Sequence, residues 1–131
     1  MKKLSIAMLS LVFLFSFATS VFAATTGSVT STRKDNAAKE ITLTGSGKYM
    51  KFTVTYSGSA GEDPYTGGDG ILWKKTGANS IEEVASFYVS YNNKSQSTDV
   101  WLDKNATYIL VADVSIFGAS DASVTSSIKE R

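Results

Sequence analysis

The sequence predicts an all-β fold, an antiparallel β-sandwich of jelly-roll-like type built from about eight short strands. Three observations predict it. Short runs that alternate apolar and polar residues recur along the chain. Breaks rich in Gly, Asn and Ser separate them. No amphipathic helical run of useful length intervenes, and proline occurs once, at Pro64.

Residues 1–23 stand apart from this pattern. Lys2 and Lys3 precede an apolar run from Leu4 to Phe17, and Val21-Phe22-Ala23 supplies the small residues of a cleavage site. This is the three-part plan of a secretory signal peptide. The apolar run is shorter than the roughly 20 residues a spanning helix needs, so no membrane insertion of the mature chain is expected. Residues 24–131 then form one domain. Without Lys2 and Lys3, 11 of the 13 basic residues face 12 acidic ones, a net charge of −1. That balance, with no basic patch, argues against nucleic acid as a partner. No cysteine is present, so packing alone must hold the fold.

The strands follow in order. Ser28 to Arg33 is a weak first strand. Ile41 and Leu43 alternate with Thr42 and Thr44 in a second. From Lys48 to Ser57, Met50, Phe52, Val54 and Tyr56 share one face, the pattern of a half-buried antiparallel strand. Ser57 to Gly70 reads as a long loop with five glycines. Ile71 to Lys75 resumes as a strand, and Ser80-Ile81-Glu82-Glu83 matches a capping box that predicts one helical turn. Ser86 to Tyr91 is a strand turned by Asn92 to Ser95, and Ala122, Val124 and Ile128 mark the last one.

Ser97 to Phe117 predicts a β-hairpin around Asp103-Lys104-Asn105-Ala106. If Asp103 pairs with Thr107, Leu102 lies opposite Tyr108 and Val100 opposite Leu110, an apolar face. An even loop would put Asp99 on that face, at several kcal/mol without a partner. The odd loop needs a left-handed residue, which Asn105 can supply. Trp101 then lies opposite Ile109 and forms a patch with Ile109 and Val111 on the face away from the core.

The order of KYMKFTVTYSG, ILWKKTG and a turn within DVWLDKNATYILV resembles the prepeptidase C-terminal type of secreted β-sandwich domain, over about residues 41–116. That group often carries Gly in the turn before its tyrosine, where this chain has Asn105 and Ala106. The resemblance implies an accessory, non-catalytic module and transfers no site residue.

The composition excludes much chemistry. Histidine and cysteine are both absent. Ser-His-Asp and Cys-His nucleophiles and the common zinc sites are therefore ruled out. Glu82 and Glu83 are adjacent, so on a strand they point to opposite faces rather than across a glycosidase cleft. Two S-x-x-K matches, at Ser31 and Ser126, and K-T-G at Lys75 lack the serine-aspartate-asparagine element of penicillin-binding enzymes. In a chain this rich in Ser, Thr and Lys they are chance matches.

Two candidate sites remain. Glu62, Asp63 and Asp69 sit in the Gly-rich loop and offer oxygen ligands for calcium, although the EF-hand spacing is absent. Tyr49, Tyr88 and Trp101, with Ile109 and Val111, lie on faces assigned away from the core. Amphipathic rings in a shallow site suit a sugar or a partner surface. The expected function is a secreted, non-catalytic binding module for an extracellular polysaccharide, a cell-wall component or a protein. The alternatives are a secreted antagonist (a bacteriocin-like toxin or an inhibitor) and an extracellular matrix component that adds strands at its edges. Intact-mass measurement on culture medium is expected to find a chain beginning at Ala24. A full-length species held in the membrane would overturn the leader assignment.

Overall fold

A computed structural model describes residues 24–131; the proposed leader lies outside the described residues. Eight strands follow one another: β1 (Gly27–Thr32), β2 (Lys39–Thr44), β3 (Lys48–Ser57), β4 (Gly68–Gly77), β5 (Ser80–Val89), β6 (Ser95–Leu102), β7 (Thr107–Val114) and β8 (Ser123–Lys129). They form two four-stranded antiparallel sheets, β1-β8-β3-β6 and β2-β7-β4-β5, packed face to face. Only β4 and β5 are neighbours in both chain and sheet. Every other connection crosses between the sheets, the connectivity of a jelly roll. Among the described residues, no helix is long and apolar enough to cross a membrane.

The alternating strands deliver the core. Met50, Phe52, Val54 and Tyr56 of β3 point inward with Val100 and Leu102 of β6 and Val124 and Ile128 of β8. They meet Leu43, Leu72, Val89, Tyr108, Leu110, Ala112 and Val114 of the other sheet. Phe52 and Phe87 stack across the interior with centroids 5.7 Å apart. Two serines enter this core because their hydroxyls find backbone partners. Ser126 donates to the Val111 carbonyl at 2.7 Å, and Ser31 donates to Ala37 while accepting from the Val114 amide. The sheets come so close here that a Cβ on Gly70 would lie 2.3 Å from both Ser126 Oγ and Val54.

Three expectations are corrected. The Ser80–Glu83 segment is not helical. It opens β5, pairing with β4 through Trp73 to Glu83 and Lys75 to Ile81, because tertiary pairing overrides a local capping signal. β4 begins at Gly68, earlier than expected, and shortens the acidic loop to residues 58–67. Most consequentially, β6 and β7 are not a hairpin. β6 pairs with β3, while β7 lies between β2 and β4. The 103–106 connection is an arch from one sheet to the other.

Asn105 is left-handed in that arch, with φ of 66°, as the turn requires. The Tyr108 hydroxyl accepts from the Asp103 amide at 2.7 Å. The 45–47 arch packs beside it: Gly45 donates to Ala106, Asn105 to Gly45 and Gly47 to Leu102. A Cβ on Gly45 would collide with the Asp103 carbonyl at 2.0 Å. Val100, Leu102, Tyr108 and Leu110 nonetheless all enter the same core, from opposite sheets rather than along one ladder.

Leu110 is fully buried in β7. Leu110→Ala is expected to cost about 2–5 kcal/mol in denaturant unfolding. A loss below about 0.5 kcal/mol, the range of surface changes, would contradict this core.

Candidate functional site

The sequence-predicted aromatic patch divides between the two outward faces. Trp101 lies on the outer face of β1-β8-β3-β6, while Ile109 and Val111 lie on the outer face of β2-β7-β4-β5. The patch therefore does not exist as one surface. Its premise was a β6–β7 ladder, and those strands belong to different sheets.

Trp101 instead joins Tyr49. The two are direct partners across β3 and β6. Their rings meet edge to face with centroids 5.2 Å apart, and they are 49% and 51% exposed. The Trp101 indole N–H donates to the Asp103 carboxylate at 2.9 Å. Asp103 also accepts from the Lys74 ammonium, and that bond, with the smaller contribution of Trp101, holds its carboxyl below the usual range. The indole is thus tied to the arch rather than free to rotate. Arg131 lies 5.7 Å from the Tyr49 ring, and Asp99 bridges Lys51 and Arg131 at 3.5 and 3.2 Å.

Beyond this pair the same face carries hydroxyls in register. Ser28, Ser127, Thr53 and Ser97 form one row across all four strands, and Thr30, Thr125, Thr55 and Ser95 form the next. Thr30 and Thr125 share a hydrogen bond of 2.7 Å. Strand geometry spaces such rows about 4.8 Å across the sheet and about 6.7 Å along it. The rows were not legible in the sequence, because they depend on which strands neighbour which.

The opposite outward face has different chemistry. Its rows read Tyr88, Asp69, Asp113; then Ser86, Ile71, Val111, Glu40; then Glu83, Trp73, Ile109, Thr42. Tyr88, a predicted site residue, is half-exposed here, and its hydroxyl accepts from the Gly67 amide at 2.8 Å. Ile109, Val111 and Trp73 form an apolar cluster with Ile71 and Ile81. Glu40 is buried beside them, and burial pushes its carboxyl up to about 7. Asp69 and Asp113 are raised as well, both chiefly by burial, with Asp113 adding repulsion at Asp69. Glu40, Trp73 and Asp113 were not singled out in the sequence. Strand parity alone could have placed Glu40 with Thr42, opposite Ile41 and Leu43.

The structure does not bring the predicted calcium ligands together. Asp63 spends its carboxylate on the Tyr65 amide and the Thr66 hydroxyl, while Asp69 has joined β4 beside Asp113. Among the described residues, no cluster of three or more acidic side chains is arranged to hold a metal ion.

No protein-family model matches the chain, and no curated protein matches it in sequence. Three solved structures are similar to it at low identity. The Yersinia pseudotuberculosis-derived mitogen is similar at 11% identity and a TM-score of 0.48, over 81% of this chain and 84% of its own. The Aeromonas hydrophila PliG, a periplasmic inhibitor of g-type lysozyme, is similar at 14% identity and a TM-score of 0.43, over 82% and 91%. The Penaeus vannamei nodavirus P-domain is similar at 11% identity and 0.31, over 80% and 96%.

The raised Glu40 carboxyl has a pH signature. It takes up its proton near pH 7 in the fold but near 4.5 when unfolded. Its contribution to stability is therefore full below about pH 4.5 and is lost as pH rises to about 7. At about 1.4 kcal/mol per pH unit the upper bound is about 3 kcal/mol. Thermal melts from pH 5 to pH 8 are expected to fall with pH, and Glu40→Gln is expected to flatten much of that slope. An unchanged slope in the variant would contradict the burial of a titrating Glu40.

Proposed function

We propose that the protein is a secreted, non-catalytic module that binds an extracellular polysaccharide or cell-wall polymer through the outer face of β1-β8-β3-β6. The observation that carries this reading is the Tyr49–Trp101 pair, half-exposed and fixed by the Asp103 hydrogen bond, on the face whose two in-register hydroxyl rows lie beyond the charged row of Lys51, Asp99 and Lys129. Exposed rings offer an apolar plate for a sugar face, and hydroxyls exchange hydrogen bonds with sugar hydroxyls. A flat, regular array suits an ordered polymer better than a small molecule, which calls for a concave pocket. The charges within the array, Lys51 and Arg131, are paired to Asp99, so binding rests on stacking and many weak hydrogen bonds. The absence of histidine and cysteine from the chain removes the common nucleophilic machinery and fits a binding role.

Co-sedimentation with insoluble peptidoglycan, chitin and cellulose tests the reading. The wild-type chain is expected to be retained on at least one of them. Trp101→Ala and Tyr49→Ala are each expected to weaken retention on the order of tenfold, corresponding to about 1.4 kcal/mol, with melting temperatures close to wild type. Retention unaffected by both substitutions would exclude this face.

A further inference from the structure

The outer face of β2-β7-β4-β5 holds a second arrangement that the polymer-binding reading leaves unused. Four carboxylates, Glu40, Asp69, Asp113 and Glu83, surround a floor of Ile71, Val111, Trp73 and Ile109. Asp69 stands directly opposite Asp113, a like-charge pairing that destabilises a sheet. Lys75, opposite Ile81, stands one row beyond, so acidic groups outnumber basic ones on this face.

An acidic cluster alone would be an ordinary solvated face. Two further groups make this one different. Glu40 is 5% exposed and Trp73 6%. Both Glu40 carboxylate oxygens and the Trp73 indole N–H lack a hydrogen-bond partner among the described residues. Leaving such groups unpaired is unfavourable, and more so for a charge. No described strand lies across the face to supply the missing partners, since all eight belong to the two sheets and the other sheet covers only the inner side.

The missing partner is defined by what the face lacks. Glu40 needs a donor, and the surrounding carboxylates favour a cationic one. The apolar floor suits an aliphatic stem, as lysine and arginine carry below their charged heads. Trp73 needs an acceptor, which a peptide carbonyl beside that side chain provides. We propose that this face is a docking site for a lysine or arginine side chain presented on a loop or strand of a second protein. A neutral sugar satisfies the hydrogen bonds but leaves the charge of the ring unmatched.

The test uses the chain from Ala24, which carries all eight strands. Blocked tetrapeptides with a central lysine, arginine, norleucine or citrulline are titrated in, and cellohexaose is titrated separately. Amide and indole resonances are followed by NMR. The lysine or arginine peptide is expected to shift the Trp73 indole and the Glu40 and Asp113 amides, at least tenfold more tightly than its neutral counterpart. Affinity is expected to fall as salt rises. Glu40→Gln and Asp113→Asn are each expected to weaken binding several-fold with the fold retained. Trp101→Ala is expected to leave it unchanged, which separates this site from the polymer-binding face. Equal binding of the neutral peptides overturns the proposal. So does cellohexaose shifting the same resonances, concentration-dependent dimerisation through this face, or no binding of either charged peptide.

Discussion

The Ser126 hydroxyl, donated across the sandwich to the Val111 carbonyl, marks the constraint on which the structure depends. It joins β8 at the centre of one sheet to β7 at the centre of the other. Val111 itself faces outward, so the bond is made by its backbone alone. The close approach requires Gly70 on β4, where any side chain would strike Ser126 or Val54. Buried hydroxyls are tolerated only when paired, and both core serines are. β7 is in turn buried from Tyr108 through Ala112 on alternating sides, with Tyr108, Leu110 and Ala112 inward and Ile109 and Val111 outward. A strand apolar on both faces suits a central position, and β2 and β4 flank it.

The two arches at residues 45–47 and 103–106 extend that constraint to one end of the sandwich. Their backbones bond to each other, and the Tyr108 hydroxyl holds the Asp103 amide from within the core. Asp103 is thereby placed to take Lys74 and the Trp101 indole on its carboxylate. A core contact thus fixes an exposed aromatic side chain, linking packing to the proposed binding face.

The outward faces differ because their residues solve different problems. On β1-β8-β3-β6 the outward positions are mostly Ser and Thr, which favour strands and stay hydrated. On β2-β7-β4-β5 they are mostly apolar or acidic, and two polar groups are buried without partners among the described residues. The first is an ordinary half-wetted sheet with one aromatic pair added. The second packs Trp73 against Ile109 and Val111 and leaves its indole N–H and the Glu40 carboxylate without partners among the described residues.

The sequence by itself determined most of the strands and their inward faces. The alternation of Lys48 to Ser57 matches β3 residue for residue, and the parity of Val100, Leu102, Tyr108 and Leu110 places all four in the core. These are local properties, because successive side chains on a strand point to opposite faces whatever the neighbouring strand is. It also determined that Asn105 would take the left-handed turn position. Only the tertiary structure decided which strands pair. A four-residue connection serves a hairpin or an arch equally well. The choice falls to the arch because β7 buries both faces between β2 and β4 while β6 pairs with β3. For the same reason Trp101 met Tyr49 rather than Ile109. Pairing depends on residues distant in sequence, and no local pattern encodes it.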